Sequence, residues 1–393
     1  MSADPLSSEA LRWLAGAEGG DCLRQATAFT ADQALRAQDV LRAQYPADRV
    51  RAALALVAAR RAAVDKFGPV ADGLYGDRDG VEMASRPEIA AYRAGRFAGR
   101  GRIADLGCGI GGDLVALAAG HLVCGVDLDP ARLTAARLNA AAAGVDERAV
   151  LVRADAASYR PRVDAVFADP ARRREGRRIR AAAAYGPPLT ALLAWRERVP
   201  ALAVKVAPGI DEAELPADGE VEFISAAGQC REGVLWQGEL ARCRRRATVL
   251  PGPHALIDAS GPPVPVGPPG TALYDPDPAV VRAHLVQELA RHLDAWLLDP
   301  QVAYLSGSGP PRPTPFARAY RLLDRQPFHL KRLRDYLRAA DLAAAEIKKR
   351  RFPIPADQLR QLLGAAARGA CPVTLVFTRI AARPEVLVCQ PVP

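Results

Sequence analysis

Within the segment Ile103-Ala104-Asp105-Leu106-Gly107-Cys108-Gly109-Ile110-Gly111-Gly112-Asp113, four residues have the types and spacing to hold a nucleotide: Asp105, Gly107, Gly109 and Gly111. Glycine accepts positive φ and lets a ligand lie against bare backbone. A glycine turn between a strand and a helix is therefore a nucleotide cradle. Asp127 closes the next apolar run, about twenty residues on, where a carboxylate can take both ribose hydroxyls.

This spacing admits two nucleotides. Gly107, Gly109 and Gly112 satisfy the GxGxxG of NAD-binding turns, and Gly107, Gly109 and Gly111 satisfy the GxGxG of S-adenosylmethionine-binding turns. Asp105 separates them. A carboxylate beside the glycine turn would repel the pyrophosphate of a dinucleotide. S-adenosylmethionine brings a sulfonium and an ammonium, and an acid favours both. The residues therefore favour methyl transfer, with an NAD-dependent oxidoreductase as the alternative.

Two further acids extend the pattern. Asp155 follows Val150-Leu151-Val152, where it can accept a bond from the adenine amine or simply close a surface turn. Asp169-Pro170 follow the run Asp164–Ala168. In an open parallel sheet the ligand crevice lies at the carboxyl ends of the strands, so Asp169 faces the transferred methyl group. Methyl transfer to nitrogen needs the lone pair held in line with the S–CH3 bond, and a carboxylate that accepts an N–H does this. The competing reading of Asp169 and Pro170 is an ordinary Asp-Pro turn.

The elements needed to position these residues are present in the pattern. Apolar runs at 102–106, 121–126, 149–152, 163–168 and 201–206 alternate with helical segments such as Pro130–Ala143, where Asp129 is the expected cap. This predicts an α/β fold with a Rossmann-like parallel sheet. The runs 220–225 and 232–236, on either side of Gly228, are expected to close the sheet as an antiparallel tail. Residues 1–98 read as an N-terminal helical region, with a loop at 67–80 and a helix from Pro87 to about Phe97. The sheet domain is expected over 99–250. Pro and Gly crowd 251–278, which reads as a linker. Residues 279–393 read as a small α+β domain. It has a helix over 279–298 carrying Leu285, Leu289, Leu293 and Trp296 on one stripe, helices near 328–340 and 356–367, and strands at 345–348, 372–379 and 385–389.

Length and composition bound the rest. A chain of 393 residues exceeds one typical core. Its net charge of +9 favours a polyanionic partner, with nucleic acid first. Lys66, Lys205, Lys331, Lys348 and Lys349 are the only lysines, so clustered Arg partly reflects a compositional bias. Seven cysteines without a CxxC pair argue against a disulfide framework and a zinc site. His284 and His292 fall on one expected helix face, too far apart to share a metal, and no metal is expected. Met1–Ala10 lacks the apolar core of a signal peptide, and no charge-free apolar run reaches membrane-spanning length, so the expected address is cytoplasmic.

The loop Asp105–Gly111 with Asp127, Asp155 and Asp169-Pro170 resembles the class I S-adenosylmethionine-dependent methyltransferases. The segments Asp299-Pro300-Gln301-Val302-Ala303-Tyr304 and Glu346-Ile347-Lys348-Lys349-Arg350 are similar to the THUMP-like domain that follows such a catalytic domain in one bacterial family. The resemblance implies that Asp105, Gly107, Gly109 and Gly111 line the methionine end of the cofactor. It assigns Asp127 to the ribose, Asp155 to the adenine and Asp169 to the acceptor. It also implies RNA as a partner, because THUMP domains are associated with RNA binding. Ala171 and Arg172 stand where amino-directed methyltransferases carry a second Pro and an aromatic residue.

Two basic clusters are the expected substrate contacts. Arg172 and Arg173 open an arginine-rich loop just after Asp169, and Lys348, Lys349 and Arg350 form the second cluster. Both can grip phosphates. Both are equally explained as solvated charge, and the second as an edge strand kept soluble. The leading expectation is an enzyme that methylates RNA, with a base nitrogen favoured. The alternatives are a small-molecule or protein acceptor, and an RNA-binding module without catalysis.

Overall fold

A computed structural model describes residues 5–171, 173–174, 177–178 and 182–392. The chain divides into two compact units. One comprises the residues up to Glu220 with Gly233–Arg242, and the other comprises Val221–Glu232 with the residues from Cys243 onward.

The first unit opens with six helices: α1 (Ser8–Ala15), α2 (Ala17–Thr27), α3 (Ala34–Arg42), α4 (Ala47–Phe67), α5 (Arg78–Met83) and α6 (Pro87–Arg96). Side chains mark their starts. Ser7 caps α1, Asp77 accepts from Gly80 N at 2.8 Å to cap α5, and Pro87 opens α6. On α4, Val50, Ala53, Leu56, Val57 and Ala63 are buried, and the small alanines let neighbouring helices approach closely. This apolar cluster continues onto Ile110 and Ala135 of the glycine-loop region.

Strands β1 (Arg102–Leu106), β2 (Leu122–Asp127), β3 (Ala149–Arg153), β4 (Ala165–Ala168) and β7 (Ala201–Val206) follow. The two-residue pair β5 (Arg173–Arg174) and β6 (Arg177–Arg178) intervenes before β7. The main strands lie parallel in the order β3-β2-β1-β4-β7. Residues 103–106 of β1 and all of β4 and β7 are buried, as befits strands covered on both faces. Helices α7 (Gly112–Ala118), α8 (Pro130–Ala142) and α9 (Leu189–Leu193) make the connections. The winding reverses between β1 and β4, which creates a switch-point crevice at their carboxyl ends. The last six residues of β9 (Gln229–Gly238) pair antiparallel with β7, which meets the expectation for the run 232–236; the run 220–225 instead pairs parallel with a later strand.

In the second unit β8 (Glu220–Ala226) runs parallel to β10 (Arg245–Leu250), and β11 (His254–Ile257) is antiparallel to β10. A seven-stranded sheet uses β12 (Ala272–Pro276), β13 (Trp296–Asp299), β14 (Val302–Gly307), β15 (Ala317–Pro327), β16 (Leu342–Lys349), β17 (Cys371–Ile380) and β18 (Arg383–Pro391). Its order is β13-β14-β12-β15-β18-β17-β16. Alternation along β17 buries Leu375 and Phe377 on the face covered by α12 (Leu330–Ala339) and α13 (Ala356–Leu363), and Val376 on the other.

The α/β class, the parallel sheet and the N-terminal helices agree with expectation; the loop expected over 67–80 holds a short 3-10 helix at Gly68–Gly73 and the start of α5, and three further details differ. The linker expected over 251–278 contains β11 and β12, because its prolines sit between strands rather than inside a free tether. The expected break at 250 is displaced, since β10 belongs to the second unit. The expected helix 279–298 is α10 (Pro278–Arg282) and α11 (Val286–Leu293), interrupted at His284 with φ 59°. It ends at Asp294 in the left-handed region, so Trp296 starts a strand and its indole N–H donates to Pro268 O at 2.8 Å. His284 and His292 therefore do not share a helix.

Candidate functional site

The glycine turn follows β1 directly. Gly107, with φ 83°, and Cys108 both donate backbone N–H bonds to Val126 O, which ties the turn to β2. A Cβ on Gly107 would lie 2.6 Å from the backbone oxygen of Asp169, so β4's end and the turn touch. Gly111, with φ 90°, opens α7, and a Cβ there would press on Ala136 at 3.1 Å. Gly109 N donates to Asp127 Oδ2 at 2.9 Å, while Asp127 Oδ1 accepts from Asp129 N at 2.9 Å. The expected ribose carboxylate is thus locked to the expected methionine-end turn. Asn139 of α8 donates to Ile110 O and to Tyr75 O, both at 2.8 Å, clamping the turn to the N-terminal region.

Two carboxylates on the two sides of this turn are buried, and they differ. Asp113 on α7 accepts from Arg93 and, at 2.8 Å, from Ser85 Oγ. Burial alone would raise its carboxyl, but Arg93, Lys205 and these hydrogen bonds hold it below the ordinary range. Asp105 is fully buried, and neither of its oxygens has a hydrogen-bond partner among the described residues. Burial, then the nearby Asp113 and Asp169, push its carboxyl well above the ordinary range, with Arg93 opposing. An unpartnered buried carboxylate is costly, and a cationic group placed beside it would remove the cost.

Asp169 sits at the end of β4, its backbone N–H held by Leu106 O at 3.0 Å. Its Oδ2 accepts from Lys205 Nζ at 2.7 Å, and Lys205, on β7, is only 2% exposed. Lys205 also donates to Ser85 Oγ at 2.9 Å, and Arg93 donates to the same hydroxyl at 2.6 Å. Asp169, Lys205, Ser85, Asp113 and Arg93 are therefore one connected network drawn from β4, β7, α7 and the N-terminal helices. Lys66 on α4 donates to Val81 O and Glu82 O, both at 2.8 Å. Burial, followed by Lys205 and Arg86, lowers it to about 8, with Asp169 pulling the other way.

A methyltransferase domain model matches residues 103–174, a THUMP domain-like model matches 317–391, and a domain of unknown function matches 7–63. An uncharacterized S-adenosylmethionine-dependent methyltransferase of Mycobacterium tuberculosis, present in strains CDC 1551 and H37Rv, is 41% identical over 335 residues. The match covers 82% of this chain and 91% of that protein. The chain belongs to the S-adenosylmethionine-dependent methyltransferases. Its fold is shared by a candidate methyltransferase from Porphyromonas gingivalis W83, with TM-score 0.74, 20% identity, and coverage of 94% of this chain and 96% of that one.

The chain is therefore an enzyme whose cofactor is S-adenosylmethionine, and the residues present fit it. The glycine turn offers bare backbone, and Asp105 is an acid without a partner. The structure brings Asp105, Gly107, Gly109, Gly111, Asp127 and Asp169 together, with Pro170 buried behind Asp169. Asp155 is exposed and accepts from Ala157 N at 2.8 Å in a tight turn. Ala154 N donates to Asp127 O, which places that turn at the end of β2.

The expected substrate cations fare differently. Arg172 lies outside the described residues, and Arg173 lies in the β5–β6 hairpin. Arg350 donates to Asp275 Oδ1 at 2.8 Å and stacks over Tyr304. Lys348 lies 3.4 Å from Asp275 Oδ2, and Lys349 donates to Phe352 O at 3.2 Å. These three are committed within their own unit. Sequence reasoning missed Lys205, Ser85 and Arg93. One signal was available for Lys205: a rare lysine inside the apolar run Ala201–Val206.

Among the described residues, no group of three or more His, Cys, Asp or Glu is placed to hold a metal ion, and no helix is long and apolar enough to cross a membrane.

Proposed function

We propose that this methyltransferase acts on RNA, with a base nitrogen as acceptor. One observation carries the placement of the chemistry: the backbone of Asp169 touches the glycine turn, so the acceptor carboxylate borders the cofactor cradle. When bound, S-adenosylmethionine supplies an electrophilic methyl group on a positively charged sulfur. Asp105 meets the cationic methionine end, Asp127 orients the ribose, and Asp155 stands beside it for the adenine. Asp169 accepts an N–H of the acceptor through Oδ1, which carries no hydrogen bond among the described residues. That fixes the nitrogen lone pair, and such positioning supplies most of the rate.

Support for RNA comes from the THUMP domain-like match, the net charge of +9 and the arginine-rich segment beginning at Arg172 and Arg173 after Asp169. In this reading the unit that carries the glycine turn catalyses and the unit that carries the THUMP domain-like match holds the substrate, in the cytoplasm. The test is mass spectrometry of modified nucleosides from a deletion strain, paired with tritium transfer from labelled cofactor. A missing methylated base in the deletion strain, restored by the purified enzyme, is the expected result. Label appearing only in protein or small molecules contradicts it.

A further inference from the structure

The geometry points to Lys205 as a positioning residue for methyl transfer: it clamps the Asp169 carboxylate through Oδ2, leaves Oδ1 to the acceptor, and is itself held by Ser85 of the N-terminal region. This rests on the assignment of Asp169 to the acceptor. It does not depend on the acceptor being RNA.

A lysine 2% exposed on a central strand is expensive to bury, and such a group is retained only where its partners are well placed. Lys205 Nζ has a carboxylate oxygen at 2.7 Å and a hydroxyl at 2.9 Å. The hydroxyl has no freedom to move away, because Ser85 Oγ donates to Asp113 Oδ2 at 2.8 Å and accepts from Arg93 Nη2 at 2.6 Å. Arg93 is anchored in turn. It lies over the Phe167 ring at 5.0 Å, and its helix α6 is pinned by the two-pronged Arg96–Glu220 pair at 3.0 Å and the Arg96–Trp236 stack. The chain of contacts therefore runs from rigid sheet to α6, to Ser85, to Lys205, to Asp169.

A carboxylate gripped at one oxygen cannot rotate, so its second oxygen has one direction. That is the preorganisation an in-line transfer needs. A lysine whose only duty were solubility would lie on the surface, and one whose only duty were packing would be replaced by an apolar residue without loss. The arrangement also gives the N-terminal region a part in catalysis: Ser85, between α5 and α6, supplies the hydroxyl that holds the clamp.

The test uses the full-length enzyme with tritiated S-adenosylmethionine and a deletion-strain extract separated into RNA, protein and small-molecule fractions. Wild type, K205M, K205R and S85A are compared for kcat, for KM of S-adenosylmethionine and for S-adenosylhomocysteine affinity. In whichever fraction wild type labels, K205M is expected to lose about 100-fold in kcat, with KM and S-adenosylhomocysteine affinity changed less than about twofold. K205R is expected to recover part of the loss, and S85A to lose less than K205M. K205M turning over like wild type overturns the assignment, as does an equal loss in kcat and cofactor affinity, which marks a structural role. Label in protein rather than RNA defeats the RNA reading and leaves the Lys205 comparison intact. Label in no fraction removes the reaction and overturns both.

Discussion

The crevice at β1 and β4 and the basic run at 346–351 both looked functional by residue type, yet their charges are spent differently. In the basic run, Arg350 and Lys348 share Asp275, Arg318 pairs with Glu346 at 2.8 Å, and Arg350 covers a tyrosine ring. The charges of Lys348, Arg350 and Glu346 are taken up by Asp275 and Arg318, next to or within β12, β15 and β16. In the crevice, Asp105 is wholly buried and without a partner among the described residues, while Asp113, eight residues along the chain, has two. Local charge density therefore does not mark the ligand site. A fully buried carboxylate with neither oxygen satisfied, set beside a glycine turn, is the better candidate.

The sharpest break of this comparison is D169A. It is expected to lower turnover by about 100- to 1,000-fold while S-adenosylhomocysteine affinity stays within about twofold, read by tritium transfer and calorimetry. Equal loss of both would move Asp169 out of the acceptor role. G107A comes next. Positive φ strains an alanine by about 1–3 kcal/mol, and its Cβ meets Asp169 O. Cofactor affinity should fall at least about tenfold, because the cradle closes.

D105N separates stability from function. The folded carboxyl of Asp105 is raised above its unfolded value, so its favourable contribution is complete below pH about 4 and disappears as pH rises through the folded value. The amide does not titrate. D105N should therefore melt higher than wild type, by a margin that grows with pH, while binding S-adenosylmethionine more weakly. A lower melting temperature with intact binding would place Asp105 among the structural acids.

R350A has the smallest expected effect on function. Removing it leaves Asp275, largely buried, with less compensation, at a cost of about 1–3 kcal/mol. The melting temperature should drop by roughly 2–8 °C, while the salt dependence of RNA binding stays unchanged. A drop of about one in the slope of log affinity against log salt would make Arg350 a phosphate contact instead.

The parallel sheet, the glycine turn and the acids Asp127 and Asp169 were legible because each is written in local pattern: apolar run, glycine spacing, acid at the strand's end. The clamp was not, since Ser85, Arg93, Asp113, Asp169 and Lys205 meet only through the winding of the sheet and lie far apart in sequence. In the C-terminal part, β14 and β15 escaped because prolines and glycines crowd around them and charges interrupt the apolar pattern of β15, and the stripe that carried Trp296 into a helix ended at a left-handed Asp294. Lys348 and Arg350 were counted as free charge because their shared partner, Asp275, lies over seventy residues away.

The most direct test of the account is proton release on cofactor binding. Titrating the protein with S-adenosylmethionine at a series of pH values from the ordinary carboxylate range upward, in buffers of different ionisation enthalpy, reads the protons exchanged. Over the pH range in which the buried carboxyl is protonated, wild type is expected to release protons as Asp105 ionises against the cationic ligand, with affinity rising with pH, and D105N to abolish the release. Binding with no proton exchange, or a release that D105N leaves unchanged, would contradict it.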